Sequence, residues 1–255
     1  MLEREIILER MTRPQVESAL RDGYETITVA CGAVEQHGPH LPLFVDAEIG
    51  TRLSYEIALK LGKALAAPTI RVGCSEHHMS FPGTLTVRES TFKDLCADYC
   101  MALSRHGFEH IFFVPSHGGN FKPIADSVDE WNEAAGPDCK VAAFTDLLSV
   151  VSLWRRLVEE KTGLGDRVGG HADIAESSLM LLLHPHLVNV EAAEIGHTEE
   201  LSQDLVERIM RDGLKSITPN GVLGDARGMS VEIGELVAAE TVTMMAEYFE
   251  TIRDQ

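Results

Sequence analysis

Apolar residues follow two rhythms along this chain. Four short, continuous runs rich in β-branched or aromatic residues, Thr26–Ala33, Ala67–Val72, His110–Pro115 and Lys140–Thr145, read as buried strands. Between them the period lengthens to that of helices, over roughly Ala47–Leu61, Ser90–Arg105 and Pro123–Ala134. Strands alternating with helices predict an α/β fold whose mainly parallel sheet is covered on both faces. After Thr145 the pattern turns helical, most clearly over Glu176–Leu183, Leu201–Leu214 and Val231–Ile252. The Gly-rich stretch Thr218–Gly228 reads as a loop, with Arg227 either reaching the site or a neighbouring subunit or simply solvated. No repeat, low-complexity tract or Pro/Gly/Ser linker divides the chain, so residues 1–255 are expected to form one domain.

Composition changes this picture little. Hydrophobic residues make up 44% of the chain, and no apolar run approaches the ~18 residues of a membrane span. The N-terminal MLEREIILERMTRPQ is too charged for a secretory signal, so a cytoplasmic location is expected. A net charge of −18 argues against nucleic acid, which calls for a basic stripe. The five cysteines are odd in number and form no C-x-x-C pair, which fits reduced, buried thiols.

The candidate chemistry sits at predicted strand ends, where open α/β sheets bind their ligands. Glu35 and His37, in GAVEQHGPHLPLFVDAE, follow the first strand, and residues i and i+2 of an extended segment point the same way. Asp46 stands before a helix and is either its N-cap or a carboxylate shared by two metals. His117 lies in the turn SHGGN after the third strand, where Gly118 and Gly119 let backbone approach a ligand and Asn120 caps the next helix or contacts substrate. Glu176 opens a helix beside an apolar run and needs a partner there, which a metal would supply. His171 precedes it by five residues, and both can face one cleft. The loop Ser75–Thr84 reads as a substrate wall, with Glu76 and His78 as contacts. Adjacent side chains diverge, so only one of His77 and His78 is expected to point inward. Three carboxylates and two imidazoles, Glu35, His37, Asp46, His117 and Glu176, suit a two-metal site better than one tetrahedral zinc.

The strings GAVEQHGPHLPL, SEHHMSFPGT, SHGGN, HADIAESSLML and GVLGDARGMSVEIGE resemble, in the same order from about Val29 to Glu235, the creatininase (creatinine amidohydrolase) family. That resemblance implies a three-layer α/β/α fold, a homo-oligomer that is often a hexamer, and hydrolysis of carbon–nitrogen bonds in cyclic or linear amides. It implies two divalent ions per chain, zinc, manganese or iron, with Glu35, His37, Asp46 and His117 as ligands and Asp46 as the bridge. It gives His171 the proton-handling role; from its place in the Ser75–Thr84 loop, Glu76 is the next candidate. Creatininase carries His-Tyr-Glu-Asn where this chain has His117-Gly118-Gly119-Asn120, so its glutamate ligand is missing and Glu176 is the replacement. Its tryptophan flap is missing too, Val168-Gly169-Gly170 standing in that place, so creatinine itself is not the expected substrate. Competing readings are a hydrolase of a carbon–carbon or lactone bond in polyol catabolism and a non-catalytic metal-binding scaffold.

Overall fold

The computed structural model describes residues 5–255; the first four residues of the charged N-terminal stretch lie outside it. Strands β1 (Thr26–Cys31), β2 (Ala64–Ala66), β3 (His110–Pro115) and β4 (Lys140–Ala143) form a parallel sheet in the order β2-β1-β3-β4. β1 is buried along its whole length and pairs with β3 from Thr26 against His110 to Cys31 against Pro115. The helices are α1 (Arg13–Arg21), α2 (Val45–Leu61), α3 (Glu89–Arg105), α4 (Gly118–Ala125), α5 (Val128–Ala135), α6 (Leu147–Thr162), α7 (Ile174–Leu183), α8 (Gln203–Asp212) and α9 (Val231–Arg253). A two-stranded antiparallel sheet joins β5 (Val168–His171) to β6 (Leu223–Gly224).

Neighbouring residues of β3 show the layering. Phe112 stacks on Phe249 of α9 with ring centroids 4.6 Å apart, and Phe113 packs on Trp131 of α5 at 4.9 Å. Successive strand residues face opposite ways, so α9 and α5 cover opposite faces of the sheet. The result is the expected three-layer α/β/α arrangement. One core cluster runs from Ile6 to Phe249, and a second, smaller one joins Leu205 and Ile209 of α8 to Leu214 and Leu223. No helix among the described residues is long and apolar enough to cross a membrane.

Three expectations need correction. The strand expected over Ala67–Val72 is instead β2, and only Ile70 keeps an isolated bridge to Cys31. Pro68 has no N–H for a ladder, so pairing stops before it. The helix expected over Pro123–Ala134 is two helices, with Pro123 inside the first and a break two residues beyond it. The loop Thr218–Gly228 contains β6, and Arg227 pairs with Asp225 at 2.8 Å, its side chain half exposed, rather than reaching the carboxylate–imidazole cluster.

Candidate metal centre

The carboxyl ends of β1 and β3 deliver the site. Beyond β1 the chain turns back on itself, Glu35 N–H donating to Leu43 carbonyl at 2.8 Å, and this brings the start of α2 beside Glu35 and His37. Asp46 is the second residue of α2, whose N-cap position is held by Phe44 with no side-chain cap. Its carboxylate therefore does not cap the helix. Oδ1 lies 3.2 Å from His37 Nε2 and Oδ2 lies 3.2 Å from His117 Nδ1, one oxygen toward each imidazole. Glu35 Oε1 is 3.3 Å from the same His117 nitrogen. Glu176 Oε2 is 3.7 Å from His37 Nε2. Among the described residues four trios come within ligand reach, and two of them share Asp46: Glu35, Asp46 and His117, and His37, Asp46 and Glu176; Glu35 also meets His37 with His171, and His77 with His78.

Each imidazole is held by a backbone carbonyl on its far side. His37 Nδ1–H donates to Glu35 carbonyl at 3.1 Å, and His117 Nε2–H donates to Cys74 carbonyl at 3.0 Å. The other nitrogen of each ring is thereby turned inward, toward the carboxylates, which is how metal-binding histidines are oriented. Glu176 is fixed by the turn before α7. Asp173 caps that helix, accepting from Ala175 and Glu176 N–H, and also accepts from Gly169 and Gly170. Ala172, held at φ 53°, donates its N–H to Glu176 Oε2 at 2.5 Å. A non-glycine residue in the left-handed region is strained, and such strain collects at functional sites.

All five side chains are buried, between 0% and 5% exposed. Burial alone would neutralise them, and the balance shows how strongly they need one another. For His37, burial disfavours the charged ring, yet Asp46, Glu176 and Glu35 outweigh it and hold the pKa up to about 9. His117 is raised by Glu35 and Asp46 against the same burial. Burial pushes Glu176 up to about 8, while His37 pulls the other way. Asp46, buried but faced by both imidazoles, stays well below the usual carboxylate range. Glu35 Oε2 and Asp46 Oδ2 are buried with no hydrogen bond among the described residues. Two buried carboxylate oxygens without a hydrogen bond, beside two imidazole nitrogens that a cation can take in place of their protons, are what divalent cations satisfy, so the donor set fits the expected ions.

The remaining expected residues divide. His171 Nδ1 faces the cluster, 3.8 Å from Glu35 Oε1 and 4.0 Å from Glu176 Oε2. His78 Nε2 lies 3.5 Å from Glu35 Oε1. His77, expected to point away, is also buried and stacks on His117 with centroids 5.6 Å apart, because a 3-10 turn rather than an extended segment carries the pair. Glu76 is exposed and lines an outer groove instead of the cluster. Gly118 sits where the groove meets the cluster. Gly119 has no room for a side chain: a Cβ would lie 2.1 Å from Cys74 O and 2.5 Å from His117 Nε2. Asn120 neither caps a helix nor lines the cavity or the groove. It is fully buried, donating to the Cys31 and Gly32 carbonyls and accepting from Cys74 N–H, and so ties three loops together.

Two residues of the first motif went unread in the sequence. Gln36 accepts Gly38 N–H on Oε1 at 3.0 Å, which points its amide nitrogen at His171 Nε2 (2.9 Å), His78 Nδ1 (3.1 Å) and Gly221 O (3.2 Å). It sets the orientation of both rings. Alternation predicts that Gln36 turns away from its neighbours, but the tight turn through Gly38, at φ 64°, gathers all three side chains. His40 Nε2 lies 2.7 Å from Ser177 Oγ and joins the same loop to α7.

Comparison with known proteins gives the family and the fold. A family model described as creatinine amidohydrolase matches residues 9–249. A mycofactocin precursor peptide peptidase of Mycobacterium ulcerans (strain Agy99) is 28% identical over 233 residues, 88% of this chain and 84% of the relative. A creatinine amidohydrolase of Pseudomonas putida is 26% identical over 257 residues, 96% of each. A solved manganese creatininase shares the fold, with a TM-score of 0.80 at 24% identity over 97% of this chain and 98% of that one. The family match spans nearly the whole sequence, and the chain belongs to the creatininase family.

Proposed function

We propose that this protein is a metal-dependent amidohydrolase that cleaves a carbon–nitrogen bond of an amide with two divalent ions, and that one domain carries the whole activity. The observation that carries this reading is Asp46, whose two oxygens face two separate ligand trios. Glu35 and His117 would complete one ion's protein ligands, and His37 and Glu176 the other's. Zinc, manganese or iron suits such N/O donors, and manganese is named for a solved structure of the same fold. When bound, a pair of ions supplies an activated water and polarises a carbonyl.

The chain's own groups do the rest. His171 Nε2–H donates to the Gln36 backbone carbonyl at 3.0 Å, so Nδ1 is the atom that accepts a proton from water and passes it to the leaving nitrogen. Burial pushes its pKa well below the usual value, so the ring is neutral. His78 lines the same cavity and is the proposed substrate contact. By family resemblance the working form is a homo-oligomer. Turnover of a panel of small linear, cyclic and peptidyl amides, with a polyol lactone as comparison, tests the reaction class. Hydrolysis of amides, abolished by chelation and restored by metal, is the expected result. Turnover confined to the lactone would overturn it.

A further inference from the structure

The cavity at the ligand cluster is only about 60 Å³, room for a few waters or a small reacting group. It opens onto a groove of about 1080 Å³, the scale of a full ligand pocket. His77, Gly118, Leu147, Val206 and Met210 line both, and so form the mouth between them. Gly118 leaves that mouth open: a Cβ there would meet nothing nearer than Leu147 Cδ2 at 3.9 Å. Met210, on α8, is 42% exposed at the junction, an apolar surface left in water. Val87, Phe121, Pro123 and Leu148 continue the apolar lining outward.

We infer that the groove seats the non-reacting part of the substrate, and that this part is a linear, uncharged apolar acyl chain. The inference rests on the amide-hydrolase reading, because the direction of the chain follows from it. His171 lines the small cavity and not the groove, so a leaving nitrogen facing His171 points away from the mouth. The acyl side then runs out past Gly118. A peptide is the weaker fit. Among the described residues no strand lines the groove, so it offers no sheet edge for an extended backbone to pair with. Charged side chains such as Glu89, Lys122, Glu207 and Arg211 stand along the same groove. The chain is placed along the strip of Val87, Phe121, Pro123, Leu148 and Met210 between them, where each methylene it buries adds to affinity.

Binding of acetohydroxamate and octanohydroxamate, read by calorimetry on metal-loaded and on chelated protein, separates the two claims. The hydroxamate head reads the metals, and the ratio of the two affinities reads the groove. The longer chain should bind at least about ten-fold tighter to loaded protein. On chelated protein both ligands should weaken, with the longer one still favoured. Leu148→Glu puts a charge on the half-buried groove wall, outside the small cavity, and should cut the ratio to below about three while acetohydroxamate binds as before. Leu148→Ser is the milder variant should the first fail to fold. Equal affinities for both chains, or a ratio unmoved in a folded variant, would overturn the groove assignment and leave the hydrolase reading intact. A chain-length ratio with no effect of chelation would sink the metal reading and leave the groove.

Discussion

Asp46 is the residue on which the site turns. It is buried, ionised and faced by an imidazole on each oxygen. Asp46→Asn keeps the shape and removes the charge. It should release metal and lower turnover by at least about 100-fold, beyond what loss of an outer partner costs. Normal metal content and turnover would make Asp46 a structural residue. Gln36 acts at the same scale but through other groups. Gln36→Met preserves volume and removes the amide that aims His171 and His78. Metal content should hold while kcat falls by about 10–100-fold with little change in KM. Nitrogen NMR of the His171 ring should show a changed tautomer. An unchanged ring spectrum and kcat would remove Gln36 from the mechanism. Residue chemistry was largely legible in the sequence: Glu35, His37, Asp46, His117 and Glu176 meet as their types and spacing suggested. Gln36 and His77 were not, because alternation in an extended chain assigns them outward, and only the turn geometry reverses that.

At the scale of elements, the loop after β3 and the start of α4 are built around absent side chains. Gly119 lets Cys74 carbonyl reach His117, the bond that orients the ring. Gly119→Ala should cost about 1–3 kcal/mol by overpacking and lower metal affinity with it, read by thermal melting and metal titration. A stable, fully loaded variant would contradict the close approach. A glutamate could not be placed at position 119 without moving backbone, which supports the proposed role of Glu176 on α7. The strand–helix alternation of the first half was readable because β1, β3 and β4 are buried beyond their first residues and start where their β-branched and aromatic runs do. β5 escaped because Val168–His171 holds two glycines and no apolar run.

For the whole molecule, the buried cluster makes stability depend on pH in opposite ways with and without metal. In metal-free protein, His37 is raised to about 9 and Glu176 to about 8. A group with a raised folded pKa gives its stability below its unfolded value and loses it as pH climbs through the folded one. The His37 contribution is thus present below about 6.5 and lost toward about 9, and that of Glu176 declines from about 4.5 to about 8. Asp46 stays ionised across this window. Chelated protein should therefore melt lower at pH 9 than at pH 6.5. Cations need His37 and His117 neutral and Glu176 ionised, so metal affinity should rise over the same range. Parallel trends in the two forms would contradict the assigned cluster.

The central claim is that this one buried cluster holds a pair of ions bridged by Asp46. Elemental analysis of the protein after chelation and reconstitution with manganese or zinc tests it most directly, with Asp46→Asn measured alongside. The account predicts close to two divalent ions per chain in the natural protein and loss of both in the variant. One ion or fewer in the natural protein, or two in a folded Asp46→Asn, would contradict it.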